Sequence, residues 1–186
     1  MDNTFEDMVL SLMGRRAFSP PAQGCAVRLL MLPSFDPASC LIMEESDSTV
    51  TVSLTILRDT QLVYEAFLAA RRDTDAARRM YLPAGPRWED IAEVPPAHAE
   101  RVRNLYEHVH PTSLREVPLD GLDGITIRLW YWGPGREHSI RMWSPTAARH
   151  PAQHAWISLA IDVAYDSFTD PYALAYLGTL KSYIAA

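Results

Sequence analysis

Residues Thr49–Leu57 read Thr-Val-Thr-Val-Ser-Leu-Thr-Ile-Leu, an alternation of polar and apolar side chains with a period of two. Successive side chains of a β-strand point to opposite sides, so this pattern predicts a strand with one buried face. Apolar runs at 26–32 and 40–44, separated by the turn-rich segment 33–37, predict two preceding strands. Because the links are short, we expect the three strands to form an antiparallel meander.

The remaining elements follow from helical periodicity and from turn residues. Helices are predicted at 5–13, 62–81, 97–109 and 152–168 and from Pro171 onward, with Gly14 ending the first and Asp170 capping the last. Residues 82–96 are rich in proline and predict a long loop, whereas strands at 125–132 and 137–143 form a hairpin around Gly133-Pro-Gly-Arg. We therefore expect one α+β domain over residues 1–186, with an antiparallel sheet of about five strands (meander plus C-terminal hairpin) and helices packed mainly on one face.

Charge and composition exclude several classes of function. The net charge is −6, which argues against binding to nucleic acid and favours solubility or a basic partner. The first residues are acidic where a signal peptide needs a basic segment and an apolar run, and no stretch reaches the length of a membrane span. The sequence therefore predicts a cytoplasmic protein that binds neither nucleic acid nor membrane. It leaves the oligomeric state open.

No pattern of metal ligands or nucleophiles names a reaction. His150 and His154 have zincin-like spacing, but Pro151 stands where the catalytic glutamate would follow. Cys25 and Cys40 lie in apolar runs, which predicts two buried thiols and leaves a cross-strand disulfide as the alternative. Phosphate-binding glycine loops are missing from the sequence. We therefore predict no metal, no cofactor and no catalytic residue.

Two groups of carboxylates are candidates for binding. Asp162 and Asp166 lie one turn apart on a predicted helix, and Glu44, Glu45 and Asp47 form an acidic cluster at a predicted hairpin tip. Solvated surface is the simplest interpretation of both groups. Contact with a cationic partner is the functional alternative. A small enzyme that uses Asp162 and Asp166 with His154 as a noncanonical acid/base site is a further alternative.

Three consecutive aromatic residues mark the predicted hairpin. Alternation places Trp130 and Trp132 on one side of the strand and Tyr131 on the other. Large aromatics on strands usually fill cores, so one side is expected to be buried. The other side would then expose a ring near Arg128 or Arg141, either as cation–π packing or as an anchor of an interface.

The C-terminal half also resembles a known class of proteins. Asp123-Gly-Ile-Thr, the aromatic hairpin, Arg141-Met-Trp-Ser-Pro145 and the following apolar helix are similar to small bacterial proteins, some of which are immunity partners of secreted polymorphic toxins. The resemblance implies a cytosolic inhibitor that occludes the active site of a cognate toxin. The partner-binding candidates are Glu44, Glu45, Asp47, Tyr131, Asp162 and Asp166. An adaptor protein without a toxin partner remains an alternative.

Overall fold

The computed structural model describes residues 4–18, 25–47, 49–72, 85–108, 114–118, 123–133 and 136–185. They form an α+β fold around a six-stranded antiparallel sheet, which confirms the expected class. The strands are β1 (Cys25–Pro33), β2 (Ser39–Ser46), β3 (Thr49–Leu57), β4 (Arg87–Glu93), β5 (Ile125–Gly133) and β6 (Arg136–Trp143). The helices are α1 (Thr4–Met13), α2 (Arg15–Phe18), α3 (Thr60–Arg72), α4 (Pro96–His108), α5 (Pro151–Ser167) and α6 (Pro171–Ala185).

The strands lie in the order β4-β3-β2-β1-β5-β6. The predicted meander is therefore present as β1, β2 and β3, and the predicted hairpin is present as β5 and β6. Strand β1 joins the two units, because it pairs with β2 on one side and with β5 on the other. A central position of this kind explains why β1 reads as a continuous apolar run.

The sequence prediction of a loop over residues 82–96 is wrong at β4. Residues Arg87–Glu93 pair with β3, from Thr51 opposite Glu93 to Leu57 opposite Arg87. Their sequence, Arg-Trp-Glu-Asp-Ile-Ala-Glu, lacks the alternation of a half-buried strand because an edge strand is exposed along much of its length. The helix predicted at 62–81 is α3 up to Arg72, and residues 73–81 lie outside the described part of the chain.

Helices cover both sides of the sheet, whereas the sequence suggested mainly one. Val27, Leu29 and Met31 point towards α4, α5 and α6, where Trp156 is among the largest fully buried side chains. Leu30 belongs instead to a second buried cluster, with residues of α1, α2 and α3. These two sides are called the α4–α6 side and the α1–α3 side below. Burial on both sides accounts for the apolar residues at consecutive positions of β1.

Local signals in the sequence have the expected structural roles. Gly14 ends α1 with φ +99°, a conformation that favours glycine. Asp170 caps α6, because its Oδ1 accepts hydrogen bonds from the backbone N–H groups of Tyr172 and Ala173 at 2.9 and 3.0 Å.

The two cysteines are free thiols on opposite sides of the sheet. Cys25 lies two residues from Val27 and shares its side, whereas Cys40 pairs with Leu30 on the α1–α3 side. A cross-strand disulfide between them is therefore ruled out by the register. Burial raises the pKa of the Cys40 thiol to about 12.

Candidate functional site

The register of the sheet brings acidic residues from separate strands together at one end. Six mutually paired residues form a row across the sheet: Glu93, Thr51, Glu44, Ala26, Trp132 and Glu137. Directly paired residues of antiparallel strands project to the same side, so these side chains all point to the α1–α3 side. With neighbouring strands about 4.8 Å apart, the row spans roughly 24 Å. We call Glu44, Glu45, Asp47, Glu93 and Glu137 the acidic end of the sheet.

Glu44 and Glu45 project to opposite sides, and each is paired with an arginine from the helical layer on its side. Arg16 of α2 donates from Nη2 to Oε2 of Glu44 at 2.9 Å. Arg103 of α4 donates from Nε to Oε1 of Glu45 at 2.7 Å. These partly exposed pairs attach two helices to the sheet and are each worth at most about 1 kcal/mol. Because each carboxylate has further acceptor positions, pairing does not exhaust their capacity to accept hydrogen bonds.

The exposed members of the acidic end are Asp47, Glu93 and Glu137. Asp47 lies in the turn between β2 and β3 with φ +55°, a left-handed conformation that aspartate tolerates better than most residues. The turn therefore presents this carboxylate beyond the end of both strands. Two acids of the predicted hairpin tip, Glu44 and Glu45, are thus engaged within the chain, while Asp47 faces solvent.

An aromatic ring lies within the same row. Trp132 is half-buried, and the guanidinium carbon of Arg28 lies 4.7 Å from its ring centroid and 5.4 Å from that of Trp130. Arg28 itself is only 4% exposed, and burial lowers the pKa of its guanidinium. Both tryptophans therefore contact one buried cation, which restricts the orientation of Trp132 next to Glu137.

The predicted sidedness of the aromatic hairpin is confirmed, but its exposure differs from the expectation. Trp130 and Trp132 share one side, and Tyr131 projects to the other, opposite Val27. Tyr131 is 6% exposed and belongs to the core on the α4–α6 side. The sequence left open which side would be buried, and Tyr131, a candidate contact, lies in the core because helices cover both sides of the sheet. Trp132 is the ring of this strand that remains accessible at the acidic end.

Charged residues of α1 attach that helix to the arginines of the sheet. Glu6 is only 2% exposed and accepts a hydrogen bond from Arg141. Burial, and next the neighbouring Glu6, raise the pKa of the Asp7 carboxyl. Arg128 lies opposite Arg141 in the register of β5 and β6, and its Nη2 donates to Oγ of Ser139 at 2.7 Å. Glu6, in the first turn of α1, thus compensates the charge of Arg141.

Asp162 and Asp166 lie in the helical layer rather than at the end of the sheet. Lys181 of α6 donates from Nζ to Oδ1 of Asp162 at 2.8 Å, and Nε2 of His98 lies 3.3 Å from Oδ2 of Asp166. His154 is two turns before Asp162, about 12 Å along the helix axis, so the three residues of the enzyme hypothesis do not converge. Among the described residues, no group of three or more His, Cys, Asp or Glu side chains is arranged to hold a metal ion.

A cavity of about 540 Å³ lies at the opposite end of the sheet, beyond Trp143. Asp123, Ser144 and His150 contribute polar groups to its lining. Ser144 has φ +35°, and its Oγ accepts a hydrogen bond from the backbone N–H of Ile125 at 2.9 Å. This bond pairs the N–H of the first residue of β5, so the hydroxyl has a structural role.

Comparisons with protein-family models, with curated proteins and with solved structures find no match for this chain. Within the described ranges, none of the helices has the length and apolar character needed to cross a membrane.

Proposed function

We propose that this chain is a cytosolic, protein-binding inhibitor of the immunity type, which neutralises a cognate bacterial toxin by direct contact. The observation that carries the proposal is the row of the sheet that places Glu44, Glu93 and Glu137 in line with the half-buried Trp132. The exposed carboxylate of Asp47 extends this surface. The acidic end is the proposed contact surface.

Two physical arguments support a protein partner that is basic. The net charge of −6 favours encounter with a cationic surface, and toxin domains that act on nucleic acid are often basic. Trp132 supplies a large ring whose orientation is restricted by Arg28 before any partner binds. Restricting a side chain in advance lowers the entropic cost of association, and tryptophan is enriched among residues that dominate binding energy.

The six residues proposed from the sequence differ in accessibility. Asp47 is exposed, whereas Tyr131 belongs to the core and would need local rearrangement to touch a partner. Asp162 and Asp166 are 45% and 47% exposed at the side chain, so they stay candidate contacts on the helical layer. An enzyme and an adaptor protein without a toxin partner are the competing proposals.

The test is co-expression of this chain with the protein encoded by its neighbouring gene, the expected toxin, followed by co-purification and an assay of toxicity. We expect a stable complex and loss of toxicity. Asp47→Lys and Glu137→Lys should each weaken the complex, because they place a cation on the acidic end. Glu65→Lys makes the same change of charge on the exposed surface of α3 and serves as the matched control. Failure to capture that product, together with turnover of a small molecule by the pure protein, would favour the enzyme.

A further inference from the structure

Strand β4 forms one edge of the sheet, and its outer side is paired with no other described residue. The opposite edge differs, because Val117 is hydrogen-bonded to β6: its N–H donates to the carbonyl of Arg141 at 3.1 Å, and its carbonyl accepts from the N–H of Trp143 at 3.2 Å. Open edges are sites where an extended chain from a partner can pair with a sheet. The composition and hydrogen bonding of β4 indicate what such a chain would look like.

Hydrogen bonds at the two ends of β4 establish which backbone groups face outward. The N–H of Val94 donates to the carbonyl of Val50, and the N–H of Arg58 donates to the carbonyl of Pro86, both at 2.9 Å. Because backbone groups alternate in an antiparallel ladder, even-numbered residues of β4 face β3 and odd-numbered residues face outward. The outward set is Arg87, Glu89, Ile91 and Glu93.

One outward donor is already engaged within the strand. The N–H of Ile91 donates to Oδ1 of Asp90, the preceding residue, at 2.8 Å. The outward N–H groups of Glu89 and Glu93 are separate from this contact. The edge therefore offers donors on either side of Ile91, together with the outward carbonyl groups.

The side chains of β4 set the chemistry of a chain that fits this edge. Ile91 is 49% exposed, and it shares the α1–α3 side with Glu89 and Glu93, two residues away in each direction. An added strand would place an apolar residue beside Ile91 and cationic residues beside the two carboxylates. Nε of Arg87 lies 3.1 Å from Oε2 of Glu89, so this arginine offsets only part of the negative charge of Glu89 and Glu93.

We propose that β4 is a docking edge for an extended segment of a basic protein partner, in which Lys or Arg residues flank an apolar residue at alternate positions. The inference rests on the proposed function in taking the partner to be basic. It adds a mode of binding, by strand addition, that is continuous with the acidic end through Glu93. A second copy of β4 fits poorly, because three carboxylates and one arginine would meet the same set.

The direct test is residue-resolved amide hydrogen exchange on the full chain with the end-blocked peptide Thr-Lys-Thr-Val-Thr-Lys-Thr as the probe. Strand addition should slow exchange of the outward amides of Glu89 and Glu93 by about tenfold or more at saturating peptide. The inward amides of Asp90 and Ala92 provide an internal reference. The peptide with Glu in place of both Lys residues tests charge complementarity and should bind more weakly.

A pair of variants separates backbone pairing from charge. Glu89→Pro removes an outward donor without removing a bond to β3, whereas Glu89→Gln removes the charge and keeps the N–H. We expect the affinity for the Lys peptide to fall about tenfold in the proline variant and about threefold in the glutamine variant. Urea denaturation of both variants shows whether each remains folded. The hydrogen-exchange test uses the unmodified protein, so it stands even if a variant fails to fold.

Three results would overturn the inference: binding of the Lys peptide without protection of the outward amides, equal affinity for the Glu peptide, or protection in the absence of peptide by a second copy of the chain. Assays of toxin inhibition keep this inference separate from the proposed function. If the outward amides are protected by the peptide and no toxin is inhibited, the edge inference is supported and the inhibitor proposal fails. If toxin is inhibited and the peptide leaves the amides unprotected, the edge inference fails alone.

Discussion

Replacement of Arg28 tests how much its contacts with Trp130 and Trp132 stabilise the fold. Its guanidinium carbon lies 5.4 and 4.7 Å from the ring centroids of Trp130 and Trp132, and the residue is 4% exposed. Two cation–π contacts away from water are worth about 4 kcal/mol together, and burial of the charge offsets part of that. Because Arg28→Ala also removes the packing of the aliphatic stem, we expect it to lower the free energy of unfolding by about 3 kcal/mol.

Arg28→Met is the matched variant, since it keeps most of the stem and removes the buried charge. It should lower the free energy of unfolding by only about 1 kcal/mol. The assay is urea denaturation of the three proteins followed by tryptophan fluorescence and circular dichroism. If the free energy of unfolding of the alanine variant falls by less than about 1 kcal/mol, or if it falls equally in both variants, Arg28 does not stabilise the two rings through both its charge and its stem.

Three further predictions concern local features. Because the pKa of Asp7 is raised in the fold, stability is lost as the pH rises from the pKa of this carboxyl in the unfolded chain through its pKa in the folded chain. Asp7→Asn should therefore be more stable than the unmodified protein at pH 7 and equally stable near pH 3. Urea denaturation across pH checks this, and a stability difference that does not change with pH would contradict it. Asp170→Ala should cost about 1 kcal/mol in thermal unfolding through loss of the α6 cap, and no change in Tm would refute the role of that cap. Gly14→Ala should lower the free energy of unfolding by about 1 to 2 kcal/mol, because φ is +99° and the added Cβ would lie 3.0 Å from the Arg87 guanidinium carbon. An unchanged free energy of unfolding would contradict this.

The sequence was sufficient to predict elements whose side chains alternate in environment or whose ends carry a cap. Strand β3 and the sides of Trp130 and Trp132 followed from period-two alternation. The other two strands of the meander followed from apolar runs, the hairpin from its turn sequence and the start of α6 from Asp170. Strand β4 was missed because burial, which creates alternation, is weak at an exposed edge. The prolines on both sides of it also favoured a loop.

The candidate site depends on pairing between strands, which local sequence does not encode. Glu44 and Glu45 were recognised as acidic, but their separate pairing with Arg16 and Arg103 depends on where α2 and α4 pack. The contribution of Glu93 depends on the position of β4 in the sheet. Tyr131 was expected to be accessible because a second helical layer over the sheet was not anticipated. Exposure of a side chain on a strand is decided by that layer rather than by the strand.

The kinetics of binding to the product of the neighbouring gene, measured at low and high salt, test whether the acidic end of the sheet is the contact surface. Charge steers encounter, so Asp47→Lys should slow association and weaken its dependence on salt, with little change in dissociation. Trp132→Ala should instead speed dissociation, at a cost of about 2 kcal/mol or more. If both variants associate and dissociate like the unmodified protein, the acidic end of the sheet is not the contact surface.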